Sequence, residues 1–233
     1  MAGLKLFLFG SPRVELDNAP VDIPRRKAMA LLVYLAVNHQ LHSRDALGTL
    51  FYPDNDQSRA RSYLRRDLAV LTGNLGSEWF STDRESIELT YNGTPSSSEA
   101  DTPPPIWLDV KQFQQLITAG RQHDHSSKTI CSECRPLLSQ AVELYTGDFL
   151  TGFSLRSCPE FDDWQFFQAE SLRQDLANTL QRLVVGCSEQ SDFDKAIPYA
   201  RRWVALDPLH EPAQRQLIQL YDQADQSSAA IRQ

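Results

Sequence analysis

The N-terminus lacks an apolar run long enough for export or membrane insertion. Leu6 to Phe9 form an apolar tetrapeptide with only Lys5 before it and Gly10-Ser-Pro12 directly after, too short for a signal peptide or a membrane span. Cysteine is scarce, four in 233 residues. Without an export signal those four are expected as thiols or metal ligands rather than disulfides. No glycine-rich phosphate loop with its lysine occurs, so any ATPase function would lie outside these residues. No serine, cysteine or carboxylate stands in a recognisable nucleophile constellation, so neither an enzyme nor a cofactor is expected. Surplus positive charge is missing too: 23 Lys+Arg stand against 30 Asp+Glu, for a net charge of −7. The expectation is a cytoplasmic protein with no membrane association that works by binding.

The charge is unevenly spread. Residues 1 to 91 carry 11 basic and 11 acidic side chains, whereas residues 92 to 233 carry 12 and 19. The first part is therefore neutral overall, and within it residues 57 to 66 hold four arginines and no acid. That run belongs to a helical pattern. With Leu64 at the centre of the buried face and about 100° per residue, Ala60, Leu68 and Leu71 fall on the same side. The opposite side then carries Arg59, Ser62 and Arg66, flanked by Ser58, Arg65 and Ala69, with Arg61 nearer the core margin. Such a face can reach phosphates and the acceptor edge of guanine. A solvated charged helix face is the alternative, and the helix alone does not separate the two.

Its neighbours bear on the choice. Leu4 to Phe9, Arg13 to Leu16 and Val21 to Ile23 read as short strands. Pro24 suits the start of a helix whose core positions are Ala28, Leu31, Leu32, Leu35 and Ala36. Ser43 can cap a second short helix, which Pro53-Asp54-Asn55-Asp56 ends before the arginine helix begins. Trp79 to Thr82 and Ser86 to Tyr91 alternate around Asp83-Arg84-Glu85, a hairpin with Arg84 at its tip. Strands, helix, short helix, basic helix and hairpin follow the layout of an α+β winged helix-turn-helix domain, here residues 1–91.

Residues 92–105, rich in Ser and Pro, read as a linker. From 106 to 233 the chain reads as an all-α, tetratricopeptide-like domain. Asp109 and Gln112 form a plausible capping pair, a further helix runs from about Pro136 to Tyr145, and Pro159 opens a long one carrying Phe161, Trp164, Phe167, Leu172, Leu176, Leu180 and Leu183. Leu183 and Leu217, Val184 and Ile218, Cys187 and Tyr221, Ala196 and Ala230, and Ile197 and Ile231 are 34 residues apart, the period of tetratricopeptide helix pairs. The second repeat stops within its last helix, which implies the front part of a longer protein.

Two stretches resemble known families. The run from Leu4 to Leu89, with Phe9-Gly10, Pro24-Arg-Arg-Lys-Ala28, Ser43-Arg-Asp-Ala-Leu47 and Ala60-Arg-Ser-Tyr-Leu-Arg-Arg-Asp-Leu68, resembles the OmpR-type DNA-binding domain of SARP-class bacterial activators. The run from Leu144-Tyr-Thr-Gly-Asp-Phe-Leu-Thr-Gly-Phe153 through Glu160-Phe-Asp-Asp-Trp164 to Arg201-Arg-Trp-Val-Ala-Leu-Asp-Pro208 resembles the bacterial transcriptional activator domain that follows it. The resemblance implies a transcription factor that binds direct-repeat promoter DNA through the helix at 57–73 and the wing. It also implies a helical domain that supports homodimerisation and contact with RNA polymerase. Longer members carry an ATPase module after that domain.

The expected contacts to double-stranded DNA are Arg59, Ser62 and Arg66 in the major groove and Arg61, Arg65 and Arg84 on phosphates or in the minor groove. Arg25, Arg26 and Lys27 are outer phosphate candidates. The alternative function is an interaction scaffold in which the winged helix and the repeats dock protein partners. It turns on whether the arginines are open or paired with Asp54, Asp56 and Asp67. A separate cluster, His123, His125, Cys131 and Cys134, has ligand types that suit zinc. The four ligands would have to wrap within a short stretch, so a flexible polar loop with two cysteines on one side of the next helix is the preferred reading, and no metal is assigned.

Overall fold

A computed structural model describes residues 3–90, 106–122 and 130–233. The linker at 92–105, Tyr91, His123 and His125 lie outside the described residues. Two compact units form, one from residues 1–111 with 147–168, the other from 112–146 with 169–233.

In the first unit, β1 (Leu4–Phe7), β2 (Arg13–Leu16) and β3 (Ala19–Val21) make an antiparallel meander. Alternation does the work in β1: Leu4 and Leu6 are fully buried while Lys5 and Phe7 sit at the margin. Asp17 and Asn18 turn the chain into β3 with positive φ, a conformation their short polar side chains tolerate. On the other edge of β1 lies β7 (Ile106–Leu108), paired in parallel with Leu6 opposite Leu108. Asp109 then secures that edge. Its buried carboxylate accepts from the backbone N–H of Leu8 at 2.7 Å and Phe9 at 2.9 Å through one oxygen, and from Val110 N–H at 2.7 Å through the other. Burial pushes this carboxyl up, and the backbone donors oppose the shift. Asp109→Ala should strand three N–H groups and lower unfolding free energy by about 3 kcal/mol in urea titration.

The meander leads into α1 (Arg26–Asn38). The helix starts two residues after Pro24 because Arg25 is extended, with φ −106° and ψ 117°. It buries Ala28 and Ala30 to Val33 together with Leu35 and Ala36. A two-residue strand, β4 (His42–Ser43), precedes α2 (Arg44–Phe51), followed by α3 (Gln57–Leu75) and the hairpin of β5 (Phe80–Thr82) and β6 (Ser86–Leu89). β6 lies between β4 and β5, so the hairpin is tied to the start of α2. Residues 147–168 return to this unit: Leu150 N–H donates to Leu8 O at 2.9 Å and Gly10 N–H to Asp148 O at 3.0 Å. The first part of α6 (Pro159–Glu189) packs Phe161 on Phe51 and Trp164 on Tyr34, with ring centroids 5.6 and 4.9 Å apart.

The second unit is all helical: the rest of α4 (Asp109–Arg121), α5 (Cys134–Leu144), the rest of α6, then α7 (Phe193–Leu206), α8 (Glu211–Gln223) and α9 (Ser227–Arg232). The 34-residue period is written into its backbone. Asp192 N–H donates to Cys187 O at 2.9 Å, and Gln226 N–H to Tyr221 O at 2.8 Å. Ser191 and Asp225 both adopt a φ of 56° at the helix ends. Each is a six-to-one closure with a left-handed residue, which stops one helix and aims the next. Val184, Cys187, Ala196, Ile197, Leu217 and Tyr221 share one core. Ile218 and Ile231 do not match their buried counterparts, being 40% and 86% exposed. Among the described residues no helix is long and apolar enough to cross a membrane.

Candidate nucleic-acid interface

Capping places the arginine helix. Ser43 Oγ accepts from Ala46 N–H at 3.1 Å at the start of α2, and Asp56 accepts from Arg59 N–H at 3.0 Å at the start of α3. Each side chain satisfies one of the helix's orphan donors and fixes where it begins. α3 buries Ala60, Leu64, Leu68, Leu71 and Leu75, and with them one charged residue, Asp67. Ser58, Arg59, Ser62, Arg65, Arg66 and Ala69 face outward.

Beside α3 the hairpin tip is preorganised. Asp83 accepts from the N–H groups of Glu85 at 2.7 Å and Ser86 at 2.6 Å, and its hydrogen bonds with Ser86 and Glu85 hold its carboxyl below the usual range. Arg44, the first residue of α2, donates through its backbone to Glu85 O at 2.8 Å and through Nε to Asp83 O at 2.9 Å. Arg61 bridges three elements. Its guanidinium forks onto the Asp45 carboxylate, with Nη2 to Oδ2 at 2.7 Å, and also reaches Glu85 Oε2 at 3.0 Å. The hydrogen bond from Arg61 holds Asp45 below the usual carboxylate range, and Asp45 in turn raises Arg61.

An open cleft of about 740 Å³ results, lined by Arg44, Arg61, Arg65, Leu68 and the hairpin tip Asp83, Arg84 and Glu85. Burial pulls Arg44 down, and Arg65 and Arg61 pull it further, the signature of cations crowded together. Among the described residues Arg65, Arg66 and Arg84 have no acidic partner within ion-pair distance. Arg66 rests 5.6 Å from the Tyr63 ring centroid, and Arg59 makes a loose exposed pair with Asp56 at 3.4 Å. Asp67 takes none of these arginines. It accepts from Arg25 Nε at 2.7 Å and from the Tyr52 hydroxyl.

The cations that open α1 also have partners inside the protein. Arg26 donates to Ser154 O at 3.1 Å and lies over Phe153, while Lys27 donates to Phe51 O at 2.5 Å and lies over Tyr52. Sequence reasoning passed over Arg44 and the platform role of Tyr63. Arg44 was detectable as the residue next to a helix cap, whereas the Tyr63 contact depends on the rotamer of Arg66. In the second unit, Cys131 and Cys134 bring their sulfurs within 3.2 Å. The two histidines considered with them are outside the described residues.

A capped, arginine-faced helix flanked by a short helix and a pinned hairpin defines a winged helix-turn-helix, here followed by a tetratricopeptide-like helical unit. Residues 108–233 match the family described as the bacterial transcriptional activator domain. That is more than half of the chain, and the protein belongs to this family. The structure of Mycobacterium tuberculosis EmbR in complex with a low affinity phosphopeptide is similar, with a TM-score of 0.69 at 19% identity over 99% of this chain and 57% of that one. At that identity the likeness concerns the fold, and the chain spans little more than half the length of EmbR. No curated protein sequence matches the chain significantly.

Proposed function

We propose that the chain is a sequence-specific DNA-binding transcriptional activator that places α3 in the major groove and the β5–β6 hairpin on the adjacent backbone or minor groove. The observation that carries this reading is that Arg65, Arg66 and Arg84, exposed on α3 and the hairpin tip, have no acidic partner among the described residues, and that Arg65 and Arg84 line the open cleft. A solvated helix face would need no pinned hairpin to extend it. Arg59, Ser62 and Arg66 read base edges, and Arg65 and Arg84, joined by Arg44, hold phosphates. Arg61 acts at this surface mainly by bracing α2, α3 and the wing. Arg25, Arg26 and Lys27 add positive potential at the rim while keeping their protein partners. The helical part supports homodimerisation on direct-repeat sites and contact with RNA polymerase, and the role is regulatory rather than catalytic.

Selection from a random duplex pool tests this. Enrichment of a repeated motif is the expected result. With three phosphate contacts per chain, log affinity should fall with log salt at a slope of about −2.7, roughly a 40-fold loss between 50 and 200 mM. Failure to enrich any sequence at low salt would overturn the reading in favour of a protein-docking winged helix.

A further inference from the structure

The first turns of α6 present an aromatic pair that the fold does not use. Phe161 and Trp164 turn into the first unit. A step of three residues rotates the helix about −60° and a step of four about +40°, so by Phe166 and Phe167 the chain has left that face. Both rings are exposed, at 60% and 68%, and they touch edge to face with centroids 5.7 Å apart. Single exposed apolar residues are ordinary, but two in mutual contact form a patch. Together they offer on the order of 250 Å², roughly a third of what one partner contributes to an interface of standard size.

Acid precedes this pair along the helix. Glu160, Asp162 and Asp163 are exposed one to two turns earlier, and no cation occurs between Arg156 and Arg173. Among the described residues none of the three carboxylates is in an ion pair. Acidic residues in a first turn stabilise the helix dipole, and that accounts for part of their presence. It does not account for two phenylalanines a turn further on, of which Phe167 lies within about 40° of Asp163 around the helix.

We propose that this face of α6 docks a basic amphipathic helix of a partner protein, its aliphatic stripe seated on Phe166 and Phe167 and its lysines or arginines against Glu160, Asp162 and Asp163. Aromatic anchors rimmed by charge are where binding energy concentrates, with the charges setting partner choice and association rate. The inference goes beyond the DNA-binding reading and stands or falls separately, because its test contains no DNA.

The probe is a fluorescent synthetic helix of about five turns, with leucine along one stripe and lysine on both flanks. Anisotropy titration of the full chain should show saturable binding, absent for the same peptide with glutamate in place of lysine. Phe166→Ala/Phe167→Ala should weaken it about ten-fold or more, as loss of a hot spot does, with an unchanged unfolding curve because both side chains are exposed. Asp162→Asn/Asp163→Asn should weaken it several-fold. Equal binding by the alanine variant would reduce the effect to bulk charge attraction and overturn the proposal, as would no binding by the wild type. Sedimentation of both proteins supplies the remaining outcome: a dimer that the alanine variant dissociates would make a second copy the occupant and overturn the assignment to a basic helix.

Discussion

Replacing Arg66 by alanine should cost roughly ten- to a hundred-fold in affinity for the selected duplex, about 1–3 kcal/mol, and should flatten the preference at one base pair. Three observations make this the site of largest effect on recognition. Arg66 is on the outward side of α3, among the described residues it has no acidic partner to give up, and its guanidinium rests 5.6 Å from the Tyr63 ring centroid. Arg84 is equally free but sits at a hairpin tip, so Arg84→Ala should lower affinity for all sequences alike and reduce the salt slope by about one. Arg61 separates position from charge. Arg61→Lys keeps the cation but loses the fork onto Asp45 and Glu85, and affinity should fall without any change in base preference because the wing loses its register against α3. Affinities measured on the selected duplex and on single-base variants read all three. If Arg66→Ala binds every variant as the parent does, the recognition face lies elsewhere.

The contrast between Arg66 and Arg61 also marks how far the sequence could be read. Rotation at 100° per residue separates the outer arginines from the leucine stripe, because an amphipathic helix is a local pattern and its caps, Ser43 and Asp56, are local too. Partnerships across the fold have no such period. Arg61 meets Asp45 sixteen residues back and Glu85 twenty-four residues on, and neither spacing belongs to any secondary structure. The same holds for β7, which joins β1 from about a hundred residues away, and for β4, whose two residues are too few to show alternation. The capping pair read at Asp109 and Gln112 has a different outcome: Asp109 does bond to the first turn of α4, but its other oxygen closes the sheet edge at Leu8 and Phe9. Spacing alone groups Phe167 with Phe161 and Trp164, but the 60° drift between Trp164 and Phe167 is enough to carry it into solvent. Asp67 is buried, yet it lies 60° from Leu64, just outside the arc of about 40° that holds the leucines and at the same offset as Arg61 on the other side, so rotation alone does not tell the two apart.

That burial makes Asp67→Ala the substitution expected to cost most in stability. Asp67 is 1% exposed and holds two groups, the Arg25 guanidinium and the Tyr52 hydroxyl. Burial and the bond to Asp67 both push the Tyr52 phenol well above its ordinary range, so it stays a neutral donor at any physiological pH. Alanine would leave that hydroxyl and the guanidinium facing a site with no acceptor. Removing one partner of a buried ion pair costs about 3–5 kcal/mol, and because Arg25 is 39% exposed and can turn to water the lower end applies, about 3 kcal/mol. Tyr52→Phe should cost about 1 kcal/mol, the net worth of one hydrogen bond. The triad joins the residue before α1, the end of α2 and the middle of α3, so its loss should loosen the helix that carries the arginines as well as lower the urea midpoint. DNA affinity of Asp67→Ala should then fall in parallel with its stability and recover as the temperature is lowered, whereas the deficit of Arg66→Ala should persist at every temperature. A double-mutant cycle between Arg25→Ala and Asp67→Ala should return a coupling energy of at least 1 kcal/mol if the two act as one unit; a value near zero would mean that Asp67 is held by Tyr52 alone.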